Sequence, residues 1–551
     1  MGASASRNGR LWRICSRFPL VSFYCFHLLT LLVPNVLVQY GIGRSWLPSI
    51  LFAQLLNFSL LTCILLACGK GRWVRWSTLA LFILSGYSCD YLWNFGSMPS
   101  VGAFYSVLNT NNREFFEYML AKWPLLLSLA ILAWTYWKLH PIAIAPFWAA
   151  MGPGRRKTCF ELSLLVFIVV SGGIGLRQYR APSQMSFEPY EICIQNSFPM
   201  GLFLGLWRAS AFILNHHGNG SKTELHAVRP QRVQGREVVV LVIGESANSS
   251  FWSMNGYPYP TDSRMRARRD AGELIYFPRT LAQANLTHFA VPMIVTAATP
   301  STISAGQALP SLLTAFKETG FSTYWISNQE RIQYPGDAEV CLIVSAYDFP
   351  GRKLGPSYDE ATLPFVDKAL NAPAKKLFIA VHLMGSHATY SSRVPPAFQT
   401  PGLGHANFEQ DYARTICYTD SILEALIGRL AQIDGRCLLW YVSDHGEIPQ
   451  RWDVGHGLAE PALGELQIPM LVWGNPAFRE ASAPAFKRMK ERCGETLSQG
   501  VTFPTVLSLA GIEYPRMDST RDLSSKAFAA ERSFQVTAPD GRLREVKSIP
   551  W

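Results

Sequence analysis

Five apolar stretches, at residues 19–38, 46–68, 76–93, 120–139 and 160–176, crowd the amino-terminal third of this 551-residue chain. Each approaches the ~20 residues that cross a bilayer. Such a chain needs an apolar solvent for part of its length. Two stretches are imperfect: Asp90 interrupts the third, and Pro34 lies in the first. Trp46, Trp76, Trp93, Trp123 and Trp137 fall near the ends, as an interfacial aromatic belt would. A cleaved signal peptide is the competing reading of the first stretch, but its apolar run is too long and four more follow.

Short-loop charge orients these segments. The amino-terminal tail carries Arg7, Arg10, Arg13 and Arg17. Lys70, Arg72 and Arg75 lie between segments two and three, and Arg155, Arg156 and Lys157 between four and five. Only Arg44 lies between one and two. The positive-inside rule puts the amino terminus in the cytoplasm and everything after Leu176 outside it. The net charge of +11 therefore reads as topology rather than nucleic-acid binding, because no basic helix or aromatic nucleic-acid motif accompanies it. Eleven cysteines without a CxxC pair leave the redox compartment open.

The predicted organisation is a five-helix transmembrane domain at 1–176, membrane-surface helices and a linker at 177–235, and an α/β domain at 236–551. The outer loop at 96–122 reads SVLNTNNREFFEYML in part. Its acid and amide groups suit either a lipid-headgroup site or a capped amphipathic surface helix. His216 and His217 read as linker residues.

From Arg236 onward, short apolar runs alternate with helical patterns, the signature of a layered α/β domain. Continuous runs at 238–243, 323–326, 377–383, 438–442 and 468–473 read as strands buried on both faces of a mainly parallel sheet. Open sheets of this kind bind ligands beyond the carboxyl ends of their strands. Glu245, His387, Asp444 and His445 all fall there. Any one of them could be a polar turn; four at one edge point to a site. An acid beside an imidazole suits Zn²⁺ with mixed oxygen and nitrogen ligands. His382, inside its strand, reads equally as a core histidine or a ligand. His456 lies on a loop twelve residues past Asp444.

The ordered motifs GESANSSFWSMNGYPYPT, FPRTLAQANLTHFAVPM, HLMGSHATY, YVSDHGE and GHG resemble the phosphoethanolamine transferases of Gram-negative inner membranes. The resemblance covers nearly the whole chain. It implies a multi-span helical membrane domain joined to a periplasmic domain of alkaline phosphatase/sulfatase-like fold. It further implies a zinc-dependent transfer of phosphoethanolamine from phosphatidylethanolamine to lipopolysaccharide or another periplasmic glycan, by a monomer that binds no nucleic acid. Carried onto this sequence, Thr287 becomes the nucleophile. Glu245, Asp444 and His445 become zinc ligands, with Thr287 as the fourth. His387, His456 and the ambiguous His382 are assigned to the phosphoryl group or a second metal. Thr110 and Glu114 match headgroup positions, while Ser106 replaces the family's Asn.

Zinc coordination would supply the nucleophilic alkoxide that a threonine lacks at neutral pH, although Thr287 also reads as a helix N-cap. Gln283 and Met293 stand where family members carry a disulfide, and other expected cysteine pairs are missing. Ser498-Gln499-Gly500-Val501 stands in for the family's polar run near the carboxyl end. This cysteine-poor pattern resembles the core- or glycan-modifying branch more than the lipid A branch. The competing functions are a membrane-anchored glycerolphosphate transferase, a sulfatase-like hydrolase (without a CxPxR-type motif), and a non-catalytic zinc-binding membrane sensor.

Overall fold

The computed structural model describes residues 10–41, 47–67, 72–95, 98–99, 122–180, 197–217, 224–230, 234–303, 309–329, 340–343, 358–400, 402–405, 407–449 and 455–546. The chain divides into two compact units, one within Met1–Ser210 and the other made almost wholly of Ala211–Trp551.

The first unit is helical. The segment around Pro34 forms helices at Pro19–His27 and Val33–Gly41, joined by a π-helical turn at Leu28–Leu32. A wider turn just before a proline accommodates a ring that cannot donate to the preceding turn. Further helices span Leu47–Ala67, Arg72–Phe95, Trp123–Ala150 and Pro153–Arg180, so each expected segment is matched by helix. Among the described residues, Val21–Gln39 and Trp123–Ala150 are long and apolar enough to cross a membrane, and Ala53–Ala67 is a shorter apolar stretch. Leu127, Ile131, Leu132 and Trp134 are exposed along Trp123–Ala150, a face suited to lipid rather than water.

Two polar groups of this unit, the Asp90 carboxylate and the Trp137 carbonyl, meet basic side chains. Asp90 pairs with Lys122 at 3.3 Å. Pro141 has no N–H for the Trp137 carbonyl one turn earlier, and Arg75 Nη2 donates to that oxygen at 2.5 Å while its guanidinium lies over the Trp137 ring. A neighbouring helix thus satisfies the acceptor that proline leaves free.

The second unit is built on an eight-stranded sheet: β1 (Glu237–Gly244), β2 (Leu274–Leu281), β3 (Ser322–Ser327), β4 (Val340–Ile343), β5 (Lys376–His382), β6 (Arg436–Ser443), β7 (Gln467–Gly474) and β8 (Leu497–Ser498), in the order β4-β3-β5-β1-β6-β7-β2-β8. The run β4-β3-β5-β1-β6 is parallel. β7 is antiparallel to both β6 and β2. Two reversals restore direction, so β2 ends at the same edge as β1, β5 and β6.

Alternate residues of β1 feed opposite faces. Val239, Leu241 and Ile243 join one core with Val291, Phe316 and Val506; Val238, Val240 and Val242 join the other with Ile416, Leu423 and Leu426. Burial on both faces explains the unbroken apolar runs. The second core is covered by a helix at Phe408–Ala431, whose Asn407 side chain caps the Gln410 N–H. The β2 strand escapes a reading by apolar runs because Pro278 and Arg279 interrupt it; the β2–β7 register shifts between Phe277 and Thr280. The expected linker is partly structured: Val228 bridges Glu513, and Arg229 pairs with Glu237.

Candidate active site

Three parallel strands deliver side chains to one place. β1 ends at Gly244, where an added Cβ would meet the Tyr441 hydroxyl at 2.5 Å, so the absence of a side chain leaves room for that ring. Glu245 follows, and then Ser246 with φ +56°. β6 ends at Ser443, and the Asp444 N–H donates to the Gly244 carbonyl at 3.0 Å. β2 leads into a helix at Thr287–Val295.

Thr287 is the first helical residue; Leu286 is the cap, without a side-chain cap bond. The threonine hydroxyl turns instead to the site. Its Oγ1 donates to Glu245 Oε2 at 3.1 Å and lies 3.2 Å from His445 Nε2. His445 Nε2 is also 3.5 Å from Glu245 Oε1 and 3.4 Å from Asp444 Oδ2. The ligand atoms of Glu245, Asp444 and His445 all lie within 4.8 Å of one another, and all three residues are buried.

The protonation pattern fits a cation. His445 Nδ1 donates to the Gly446 carbonyl at 2.9 Å, which leaves Nε2 as the lone-pair nitrogen. Asp444 Oδ1 accepts from the Ser246 and His445 N–H groups, whereas its buried Oδ2 has no hydrogen-bond partner. Burial and the neighbouring Glu245 push the Asp444 carboxyl well above the usual carboxylate range. Two carboxylates, an imidazole nitrogen and a hydroxyl form a donor set that suits Zn²⁺, and a cation there would reverse the pressure on Asp444.

His387 and His456 stand beside this group. The His456 ring centroid is 4.2 Å from that of His445 and 6.0 Å from that of His387. His456 Nδ1 donates to Glu447 Oε2 at 2.7 Å, and His387 Nδ1 donates to the Ala388 carbonyl at 2.7 Å. Each thereby keeps Nε2 for another partner. Burial is the largest influence on the Glu447 carboxyl and raises it, but the charge and hydrogen bond of His456, the Tyr390 hydroxyl bond and His445 together hold the group below its ordinary value.

His382 is a different case. It lies within β5, fully buried, with no hydrogen bond to either ring nitrogen, and burial lowers its pKa to about 4. It is a neutral core histidine outside the three-residue metal group. Ser106, Thr110 and Glu114 lie outside the described residues.

Sequence reasoning misses Gln329. Two residues past the end of β3, its Nε2 donates to Glu245 Oε2 and to the Leu383 carbonyl, each at 2.7 Å. The loop before Thr287, where Gln283 replaces one of the expected cysteines, is tied by main-chain bonds: Ala282 N–H to the Leu466 carbonyl at 2.7 Å and Thr537 N–H to the Gln283 carbonyl at 2.8 Å. Phe289, Val291 and Met293 are buried beneath it. The eight cysteines whose state is described are all free.

Residues 237–512 match the family described as Sulfatase. The chain is 23% identical over 472 residues to phosphoethanolamine transferase EptC of Escherichia coli K12, covering 79% of each. It shares a fold with the integral membrane lipooligosaccharide phosphoethanolamine transferase A of Neisseria meningitidis, with a TM-score of 0.73 at 19% identity over 92% of this chain and 98% of that one. The periplasmic domain of Escherichia coli EptC, solved in complex with Zn, gives a TM-score of 0.52 at 24% identity over 59% of this chain and 96% of that one. The chain belongs to the sulfatase family, and within it groups with the phosphoethanolamine transferases.

Proposed function

We propose that this protein transfers phosphoethanolamine from phosphatidylethanolamine to a lipopolysaccharide or other periplasmic glycan, by way of a covalent intermediate on Thr287. The observation that carries the reading is the Thr287 hydroxyl within hydrogen-bond reach of both Glu245 and His445 in a sealed carboxylate–imidazole group. A purely structural threonine at a helix start would spend that hydroxyl on the helix. The paired histidines beside it suit a phosphoryl group that carries negative charge.

Glu245, Asp444, His445 and Thr287 would hold a zinc ion. When bound, it would lower the hydroxyl pKa and offset charge on the phosphoryl oxygens. Thr287 Oγ1 attacks phosphorus and the phosphorus–oxygen bond to diacylglycerol breaks. The Thr287 proton is lost to solvent as its hydroxyl ionises, and the departing glycerol oxygen takes a proton from His456 Nε2. An acceptor hydroxyl or hydrogen phosphate then attacks the phosphorus, gives its proton to His456 Nε2 and displaces Thr287 Oγ1, which returns both groups to their starting state. Glu447 orients the His456 ring throughout. Thr110 and Glu114 contact the lipid headgroup in this reading. The cysteine-poor pattern favours a core or glycan acceptor over lipid A.

In this reading the catalytic unit acts on the outer side of a Gram-negative inner membrane, and the loop charges support that orientation. Membranes containing the protein, supplied with headgroup-labelled phosphatidylethanolamine and lipopolysaccharide, should release diacylglycerol and label the acceptor in equal amounts. Release of free phosphoethanolamine with no labelled acceptor would make the protein a hydrolase. A periplasm-only reporter should be active when fused after Arg236 and silent after Lys157.

A further inference from the structure

The residue that ties the reacting segments together is one with no direct part in the chemistry. Glu465 is fully buried between β6 and β7 in sequence, in a four-residue helical turn at Leu463–Leu466. Its Oε1 accepts from the Leu458 N–H at 2.9 Å and from Asn285 Nδ2 at 3.0 Å, and its Oε2 accepts from the Ala462 N–H at 2.6 Å. Asn285 is two residues before Thr287, and Leu458 is two residues after His456. Asn285 Nδ2 also donates to the Leu458 carbonyl at 2.9 Å, which closes a small ring of hydrogen bonds. The Glu465 carbonyl, in turn, accepts the Gly446 N–H at 2.7 Å, next to His445.

We propose that Glu465 is a positioning residue that sets the distance between the Thr287 nucleophile and His456, acting through Asn285 and Leu458. This rests on the phosphotransfer reading above. Three segments distant in sequence (285–287, 445–446 and 456–458) meet on this one buried side chain and its own carbonyl. Its partners are all N–H donors, so the group acts as an acceptor-only carboxylate. A buried carboxylate is costly to desolvate, and the three N–H donors it satisfies offset that cost, since an apolar residue would leave them unpaired. Its use is explained by the need to hold two loops in one register, where a displacement of about 1 Å can cost roughly a hundredfold in rate.

The test uses the full-length protein in detergent, with phosphatidylethanolamine and no acceptor. Formation of the Thr287 adduct is timed in wild type, Glu465→Ala, Glu465→Gln, Asn285→Ala and the Glu465→Ala/Asn285→Ala double variant. Glu465→Ala should slow adduct formation by roughly a hundredfold, with bound zinc retained and KM for the lipid changed less than about threefold. Glu465→Gln keeps Oε1 as an acceptor and should recover part of the rate. The double variant should be little slower than either single one, because both break the same connection. Wild-type rates in Glu465→Ala, or single effects that simply multiply, would overturn the proposal. Hydrogen exchange supplies a readout independent of the reaction: Glu465→Ala should loosen 283–289 and 455–460 together. Loosening confined to 462–466 would overturn the assignment. No adduct in wild type would count against the transfer reading itself, and the exchange pattern would still decide the role of Glu465.

Discussion

Glu245, Asp444 and His445 are sealed at the sheet edge, at most 1% exposed, whereas His387 and His456 sit on loops and keep partial access to solvent. Both groups stand at the same edge of the sheet, but each is held differently. The sealed group is fixed by β1 and β6 themselves, with main-chain N–H groups of Ser246 and His445 on Asp444 Oδ1. The open pair is fixed by single hydrogen bonds from Nδ1, to Glu447 and to the Ala388 carbonyl. A metal site needs rigid ligands and no competing water, and a substrate site needs an entrance. In the proposed function the floor would hold the cation and the rim would face the phosphoryl group, with Thr287 between them.

That division makes separable predictions, and the largest effects belong to the floor. Glu245→Ala, Asp444→Ala and His445→Ala should each lose bound zinc and lose activity to background while the protein still inserts. Asp444→Asn sharpens the point. It removes a carboxyl that burial and Glu245 already push up. The metal-free variant should therefore melt above metal-free wild type, yet gain nothing from zinc. Wild type should gain about 2.7 kcal/mol when free zinc is about a hundred times Kd. Equal zinc stabilisation of both proteins, read from melting curves, would remove Asp444 from the ligand set.

The rim should behave otherwise. His456→Ala or His387→Ala should slow turnover by about 10²–10⁴-fold with zinc content unchanged. Loss of zinc in either would merge rim and floor into one metal site. The smallest effect is expected from reductant. With the described cysteines free and the Thr287 loop held by main-chain bonds and packing, mild reductant should leave the turnover rate unchanged. A sharp loss in that assay would reveal a cysteine pair that supports the site.

The sealed group is legible in the sequence because strand ends concentrate it: Glu245 and Asp444-His445 each follow an apolar run, and the topology brings those runs side by side. Thr287 is reached only by resemblance, since β2 carries Pro278 and a register shift and does not read as a strand. Gln329 lies just beyond Ser327-Asn328, where an edge residue can be sought, but an amide carries no metal-site signal of its own. Glu465 is beyond local inference, because its three partners lie 3, 7 and 180 residues away. For His382 the sequence leaves a core residue and a ligand equally open, and full burial without a hydrogen bond to either ring nitrogen favours the neutral core residue. In the helical unit, Asp90 and Pro34 look like flaws in the sequence. Lys122 pairs with the first, and a π-helical turn precedes the second.

The central claim is that Thr287 carries the transferred group. Incubating the full-length protein with zinc and phosphatidylethanolamine, without acceptor, and mapping its peptides by mass spectrometry tests this directly. The account predicts phosphoethanolamine on the Thr287 peptide, its loss when acceptor is added, and none in Thr287→Ala, with Thr287→Ser retaining some. An unmodified Thr287 peptide together with normal transfer, or normal transfer by Thr287→Ala, would contradict it.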